Sequence, residues 1–503
     1  MESYKEFLWN RTGLPHGTHM ELASNLGDRL EFFLKTMTIG KAAGILCIFY
    51  WVLSSLAAYK RIRVPGAPIH GYWTWFEPTW FMQLRYAVTA HNIISSGYLK
   101  EWGDQWAMET LWSHSDVAIK AISENRNNQM GKYLEAVRKE LDYALEVELP
   151  QTNGWTNVDI QKIIQMVLAR IVGKMIVGNP ACRSPEWMDL AEHFTEDFVA
   201  ASILMRLIPK WLHPLVTNLI PQRRRLLKRL QEAAKVTEAC VAQFKEAKTK
   251  KAQGLEVNDE ENMVAWLLEN VEDQEYLLKN LEKIVVVMLV PAAHTTAMGI
   301  SNLLFDLCDN LEWDAKLHDE IVNVTKEHGK IGENLQMKEW VTKLELLDSF
   351  FNESQRLSNP LAITPNRYAV EDITFKDGLK VPKGALLGWV SIHNQIDPDV
   401  AADPKQFDPM RSYKKRQASA LDQSRHLAGQ PSLENLTFGY GAQACPGRNI
   451  AVSILKMVVS RLLHDYEFKF AEGQTKPKNI YLLEFIIPNP RAKLMMRKRV
   501  AKS

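Results

Sequence analysis

The stretch LTFGYGAQACPGRNIA, residues 436–451, surrounds one cysteine with three glycines and a proline. It runs into residues 450–463, IAVSILKMVVSRLL, whose apolar side chains recur at helical spacing. Pro446 suits the first turn of a helix, so the sulfur of Cys445 is expected at a helix N-terminus. Partial positive charge and free N–H groups there favour a thiolate. A structural cysteine packed in the core is the alternative.

The glycines around this cysteine favour a large, flat ligand. Residues 439, 441 and 447 lack a Cβ, so the backbone can approach such a group without a steric clash. A thiolate presented in this way can be the axial ligand of a haem.

The segment FGYGAQACPGR resembles the haem-binding loop of the cytochrome P450 monooxygenases. This resemblance implies a mainly α fold with a small β-sheet portion, and haem b as the cofactor. It makes Cys445 the proximal iron ligand, with Phe438 packed against it and Gly441 and Gly447 in the loop. Gln443 stands where the family usually has an arginine or histidine that contacts a haem propionate.

A second motif, FFNESQRL at residues 350–357, places Glu353 and Arg356 at i and i+3, where carboxylate and guanidinium can pair. Such pairs are common on protein surfaces and usually contribute little to stability. The family carries a Glu-x-x-Arg pair here that locks the fold around the haem. PKQFDPMR, residues 404–411, resembles the segment whose arginine joins that pair, so Arg411 is the expected third member.

A third motif, VPAAHTTAMG at residues 290–299, interrupts an apolar helical stretch. Pro291 removes one backbone hydrogen bond and is expected to kink the helix. Thr295 or Thr296 could simply bond its own helix backbone. In the family, an acid–threonine pair at this place helps to protonate iron-bound oxygen. The resemblance makes Thr295 the threonine, while His294 replaces the acid and can relay protons near neutral pH.

The same resemblance implies further cofactor and pocket residues. Arg367 falls at a second propionate contact. Many members carry a third contact in a Trp-x-x-x-Arg motif, which this sequence lacks, so Lys120 and Arg126 are the candidates there. EFIIPNP, residues 484–490, resembles a hairpin whose tip lines the pocket. The residues expected to line the substrate pocket are Ala292, Leu361, Ala362, Ile363, Thr364, Ile486 and Ile487.

Composition excludes several other classes of protein. The 503 residues carry a formal net charge of +2, so a nucleic-acid partner is not expected. The five cysteines are far apart and form no CxxC pair, which argues against a disulfide framework and a zinc site.

Residues 42–59, AAGILCIFYWVLSSLAAY, contain no charge and are just long enough to span a bilayer. More basic residues follow the segment than precede it, which predicts residues 1–41 in the lumen and residues 70–503 in the cytosol. Residues 60–69 contain prolines and a glycine and are predicted to form a hinge. The predicted location is the endoplasmic reticulum membrane, crossed once. A buried globular helix is the alternative.

Glycosylation would test this topology. Asn10 begins a sequon on the predicted lumenal side. The sequons that begin at Asn323, Asn352 and Asn435 should then remain unmodified.

Elsewhere, helices are predicted at residues 158–177 and 275–290, a hairpin joins residues 373–375 to 379–381, and a strand covers 385–390. Residues 211–230 contain an apolar loop followed by a basic cluster. This segment is either a solvated helix start or a second contact with membrane lipid.

The predicted function is a membrane-anchored haem-thiolate monooxygenase of fungal type that acts on a hydrophobic small molecule, with a terpenoid or indole-terpenoid favoured. The chain carries no GxGxxG motif or reductase module, so electrons must come from a separate NADPH–cytochrome P450 reductase. Cytochrome b5 is a second candidate donor, and Lys414, Lys415 and Arg416 are candidate docking residues. The alternatives are a haem-thiolate isomerase, dehydratase or ring-forming oxidase, a non-catalytic membrane haem-binding protein, or a helical membrane protein with coincidental motifs.

Overall fold

Helices dominate the part of the chain that the computed structural model describes, which is residues 114–499 without 129, 209–211, 257–261, 377 and 483. The predicted lumenal segment, membrane helix and hinge, together with Asn10, lie outside the described residues. Those predictions therefore remain predictions.

The described residues form α-helices joined by short connections and a few 3₁₀ turns. The helices are α1 (Ser115–Asn128), α2 (Met130–Glu148), α3 (Ile160–Ile176), α4 (Pro185–Leu207), α5 (His213–Val216), α6 (Pro221–Ala252), α7 (Met263–Asn270), α8 (Gln274–Asp309), α9 (Glu312–His328), α10 (Met337–Thr342), α11 (Glu345–Leu357), α12 (Ser391–Gln395), α13 (Arg411–Gln417) and α14 (Arg448–Asp465).

The strands are short and form small antiparallel sheets. They are β1 (Thr156–Val158), β2 (Asn366–Tyr368), β3 (Ile373–Thr374), β4 (Lys380–Val381), β5 (Leu386–Gly388), β6 (Tyr466–Lys469), β7 (Ile480–Leu482), β8 (Phe485–Ile487) and β9 (Leu494–Lys498). One sheet has the order β1-β9-β6, and the others are the pairs β2-β5, β3-β4 and β7-β8.

The predicted hairpin at residues 373–381 is confirmed. Ile373 pairs with Val381 and Thr374 with Lys380. Gly378 lies in the turn with φ +88°, a conformation that a side chain with a Cβ rarely adopts. The predicted strand at residues 385–390 is β5, which pairs with β2 and so brings Arg367 opposite Leu387.

The central helix α8 is apolar around most of its circumference and lies in the main hydrophobic core. It begins where the Asp273 side chain accepts from the backbone N–H of Tyr276 at 2.9 Å, and it continues through Pro291 without interruption. Among the described residues, α8 alone is long and apolar enough to cross a membrane. Of its most apolar window, 67% is buried within the protein, as expected for a core helix.

Candidate active site

The cysteine loop is held by its own backbone. The N–H of Cys445 donates to the carbonyl of Phe438 at 2.8 Å, and a 3₁₀ turn covers Gly441–Gln443 between them. Gly439 has φ +74°, in the left-handed region that favours glycine. Helix α14 begins at Arg448 with Gly447 as its N-cap. Pro446 therefore precedes the cap and is not in the first helical turn, which corrects the predicted start of this helix.

Burial and the helix terminus act on the Cys445 thiol in opposite directions. Burial raises the pKa of Cys445, and this effect exceeds the lowering by the backbone N–H groups of Gly447 and Arg448 and by the Arg448 charge. The helix N-terminus thus contributes the predicted stabilisation of the thiolate, but it does not by itself bring the pKa below its ordinary value. A metal ion deprotonates a coordinating thiol outright.

A cavity of about 550 Å³ opens beside this sulfur. Its described wall is formed mainly by apolar side chains from α1, α3, α8, α11 and α14, together with the cysteine loop. Its size falls within the usual range of cofactor and ligand sites. Cys182, Cys240 and Cys308 are buried elsewhere, so Cys445 is the one described cysteine that lines the cavity.

The same wall carries groups that suit a flat, apolar cofactor with acidic substituents. Arg367 lines the cavity and donates to the carbonyls of Tyr440 at 2.8 Å and Asn366 at 2.7 Å, which ties β2 to the cysteine loop. Phe438 and Gln443 line it as well. A Cβ at Gly447 would meet no atom within 4 Å, so that backbone faces open space. Gly441 lies outside the described wall, and its φ of +73° gives it a conformational role in the loop.

The Glu-x-x-Arg pair and the arginine of residues 404–411 come together as one buried ionic network. Arg356 donates to Glu353 through Nε at 2.9 Å and a terminal nitrogen at 2.7 Å, and the Nε of Arg411 reaches the same carboxylate at 3.2 Å. The backbone N–H of Asp408 donates to Glu353 at 2.9 Å. Arg356 also bonds the carbonyls of Gln395, Pro404 and Gln406, so the network fastens α11 to residues 395–411.

The third motif lies on α8, and its members face different ways. Ala292, Thr295 and Thr296 line the cavity, and the Oγ1 of Thr295 donates to the carbonyl of Pro291 at 2.6 Å. The backbone-bonded alternative for Thr295 is therefore present in this structure.

His294 is not part of the described cavity wall. Its Nε2 lies 3.1 Å from the carbonyl of Ala191 on α4, and since a carbonyl only accepts, this nitrogen carries the proton. Burial lowers the pKa of His294 to about 4, so the imidazole is neutral at pH 7. The expected relay position for His294 is thus not supported, because a helix sends consecutive side chains in different directions.

The expected pocket residues divide in a similar way. Leu361 and Thr364 line the cavity. Ala362, Ile363 and Ile486 form a separate apolar cluster with Ile392. The hairpin β7–β8 turns between Leu482 and Phe485, so Ile486 and Ile487 lie on strand β8 and not at the tip. Their expected place in the pocket is corrected accordingly.

The expected surface and propionate contacts also need correction. Lys120 pairs with Glu124 at 3.9 Å on the exposed side of α1 and is outside the described cavity wall, while the Arg126 side chain lies outside the described part. Arg416 is buried and approaches Glu345 at 3.4 Å, so it cannot present a docking charge. Lys414 and Lys415 remain on the surface, near Asp408 and Glu434 respectively.

The segment at residues 211–230 is split between exposed leucines and paired arginines. Leu215 and Leu219 are exposed. Arg225 and Arg229 both bind Asp197, and Arg224 donates to the carbonyl of Asn218 at 2.8 Å. Part of the basic cluster therefore holds α6 to α4.

The cavity wall also contains polar side chains from α11 and the segment after it that the motifs did not predict. Gln355 and Asn359 line the cavity beside Thr437. The helical spacing of Gln355 from Phe351, which also lines the cavity, was the available signal, but the strong Glu-x-x-Arg pattern occupies the same helix.

Comparison with known proteins agrees with this site. The chain matches the family model for cytochrome P450 over residues 80–496. It is 63% identical to the cytochrome P450 monooxygenase sdnB of Sordaria araneosa, with 96% of this chain and 97% of that protein covered. It is 26% identical to the ent-kaurene oxidase P450-4 of Gibberella fujikuroi, with 89% and 95% covered. The solved structure of retinoic acid-bound cyanobacterial CYP120A1 shares the fold, with a TM-score of 0.57 at 18% identity over 76% of this chain and 79% of that one.

The chain therefore belongs to the cytochrome P450 family. It is an oxidoreductase of the monooxygenase class, and its cofactor is a cysteine-ligated haem b. The predicted fold, mainly helical with small sheets, is confirmed for the described residues. The resemblance inferred from the cysteine loop is also confirmed.

Proposed function

We propose that Cys445 is the axial ligand of the haem iron and that the enzyme inserts one oxygen atom from O2 into a terpenoid intermediate of fungal secondary metabolism. One observation carries this proposal. Among the described cysteines, Cys445 alone lines the cavity, and a backbone hydrogen bond to Phe438 holds its loop in place. When bound, haem supplies the redox chemistry that activates O2.

The chain's own residues hold the cofactor and shape the space over it. Arg367 supplies a cation and Gln443 a neutral donor toward the acidic substituents of a porphyrin. The Glu353–Arg356–Arg411 network fixes the helix next to the cavity without lying in the described wall. The apolar side chains of α3 and α8 exclude water and bind an apolar substrate.

The substrate class rests on the wall and on one relative. Val172, Met175, Ile176, Val287 and Met288 offer broad apolar contact with few fixed donors, which suits a hydrocarbon skeleton. The relative named ent-kaurene oxidase acts, by its name, on ent-kaurene, a terpenoid. We therefore favour a terpenoid over a flexible fatty acid.

Electron supply and location complete the proposal. A separate NADPH–cytochrome P450 reductase would deliver electrons, with cytochrome b5 as a second donor, and Lys414 and Lys415 remain candidate docking residues. Residues 42–59 would anchor the protein in the endoplasmic reticulum membrane, with Asn10 glycosylated in the lumen.

The first experiment is a CO difference spectrum of the reduced, detergent-solubilised protein. The wild type should give the strongly red-shifted Soret band of a thiolate-ligated haem, and Cys445→Ala should lose it. The matched control is Cys240→Ala, which changes a cysteine buried away from the cavity and should keep the band. A band that survives in Cys445→Ala would overturn the ligand assignment.

A second measurement tests the substrate class. Ent-kaurene added to the ferric enzyme should shift the Soret band, whereas a saturated fatty acid of similar carbon number should bind more weakly. A response to the fatty acid alone would contradict the terpenoid proposal while leaving the haem assignment intact.

A further inference from the structure

The face of α8 that lines the cavity continues beyond the end of the cavity, where its side chains become polar. Met288, Ala292, Thr295 and Gly299 line the cavity at steps of four and three residues. The same steps lead on to Asn302 and Asp306, which therefore lie on the same face of the helix. Both are almost completely buried, at 1% and 2% exposure.

Helix α11 packs against this face of α8. A Cβ at Gly299 would lie 3.5 Å from Phe351, and the Oγ of Ser354 donates to Asp306 at 2.6 Å. Asn302 lies between these two contacts on α8. Gly299 and Phe351 also line the cavity, so the seam between α8 and α11 runs from the cavity wall at one end to Asp306 and Ser354 at the other.

Three polar atoms in this region have no hydrogen-bond partner among the described residues. They are the Nδ2 and Oδ1 of Asn302 and the Oε1 of Gln355. Gln355 is only 6% exposed. Buried amide groups are normally satisfied by protein or by ordered water, and a buried water commonly bonds several such groups at once.

The far end of the seam reaches solvent. The Nζ of Lys476 donates to Asp306, and the Lys476 side chain is 24% exposed. Burial raises the pKa of Asp306, helped by Asp309 and opposed by Lys476 and Ser354. A carboxyl in such a setting can accept a proton from one neighbour and pass it to another.

We infer that Asn302 and Gln355 anchor a chain of buried waters in the seam between α8 and α11, and that this chain carries protons from Lys476 and Asp306 into the cavity beside Cys445. One proton enters from solvent at Lys476 for each proton that leaves the chain at the cavity end, and no electron moves. Asn302 acts as a positioning residue because it holds water and touches neither substrate nor cofactor. This inference rests on the proposed function, since the protons are used at the haem.

The first test is a high-resolution crystal structure of the haem-loaded full-length protein. Ordered waters within hydrogen-bonding distance of the Asn302 amide and the Gln355 carbonyl oxygen are expected. A haem-loaded protein with a dry seam, in which the Asn302 amide bonds protein groups, would overturn the inference and leave the proposed function standing. A protein that binds no haem would instead refute the proposed function.

The second test asks whether the buried waters conduct protons or have only a structural role. The protein is reconstituted with NADPH–cytochrome P450 reductase, and O2 consumption is followed in H2O and D2O. Asn302→Leu should slow consumption by about a hundredfold, the low end for loss of a positioned proton-transfer path, and enlarge the solvent isotope effect, with the thiolate-type CO spectrum retained. Asn280→Leu, the same change about six turns away on α8, should do neither. Bound waters with an unchanged rate in Asn302→Leu would refute the proton path.

A second variant keeps the test decisive if Asn302→Leu does not fold. Lys476→Met removes the solvent end of the path, and Lys476→Arg restores a cation there. The first should slow consumption and the second should recover it. Lys478→Met changes an exposed lysine two residues away and should have no effect. Equal rates for Lys476→Met and Lys478→Met would overturn the inference.

Discussion

Polar groups on two sides of helix α11 are satisfied to very different degrees. Glu353 is almost completely buried and Arg356 is largely buried, yet their charged atoms meet partners from α11, α13 and residues 395–408. Gln355, between them in sequence, turns to the cavity with an acceptor that has no partner among the described residues. The satisfied side fixes the backbone, and the unsatisfied side leaves a polar group available to water or a ligand.

The ionic network should carry the largest effect on stability. Glu353→Ala leaves the guanidinium groups of Arg356 and Arg411 buried without their carboxylate, and breaking a buried pair in this way typically costs about 3–5 kcal/mol. We expect a large fall in haem content and in the urea midpoint of unfolding. The cavity side chains themselves are untouched by this change.

The matched control is a pair exposed on both sides. Glu246→Ala on α6 removes a carboxylate that is 65% exposed and 2.6 Å from the exposed Lys250, and surface pairs contribute about 0–1 kcal/mol. Equal losses in the two variants would contradict the view that burial makes the Glu353 network dominant.

The same comparison between two sides of a helix can be made on α8, because Thr295 faces the cavity and His294 faces α4. Its folded-state pKa of about 4 lies below the ordinary 6.5, so the unfolded chain binds more protons between these values. Stability from this group is fully present above pH 6.5 and is lost as the pH falls toward 4. The wild type should lose about 2 kcal/mol from this group between pH 7 and pH 5.

His294→Gln keeps a donor for the Ala191 carbonyl but has no group that titrates in this range. Urea unfolding followed by tryptophan fluorescence at pH 7 and pH 5 should show a smaller loss for the variant than for the wild type. Identical losses would mean that the imidazole is accessible to protons in the folded protein, and would reopen its role in proton relay.

The parts of the site that could be predicted are those fixed by local sequence. The loop from Phe438 to Cys445 closes on itself, and Glu353 and Arg356 are one helical turn apart. Glycine conformation and helical spacing therefore suffice to place them. The hairpin at residues 373–381 followed for the same reason, because its turn residues are adjacent in the chain.

The parts that were wrong or missed depend on distant segments. Strand β1 has only three residues and pairs with β9 more than three hundred residues later, so its own sequence carries little signal. Leu361 and Thr364 face the cavity, whereas Ala362 and Ile363 face away from it. Packing against Ile392 and Ile486 sets these directions. The orphan atoms of Asn302 and Gln355 are likewise visible only once α8 and α11 are packed together.

The smallest predicted effect concerns residues 361–364, of which Leu361 and Thr364 line the cavity and Ala362 and Ile363 lie in the buried cluster. Ile363→Val removes one methylene from the buried cluster with Ala362 and Ile486, and should cost about 1 kcal/mol of stability. It should leave the affinity of the ferric haem for phenylimidazole unchanged, because Ile363 is not in the described cavity wall.

Leu361→Val makes a matched deletion on the cavity side. It should change stability less but weaken phenylimidazole binding about fourfold, the value of one buried methylene. The reverse pattern would show that Ile363, and not Leu361, faces the ligand when haem is bound.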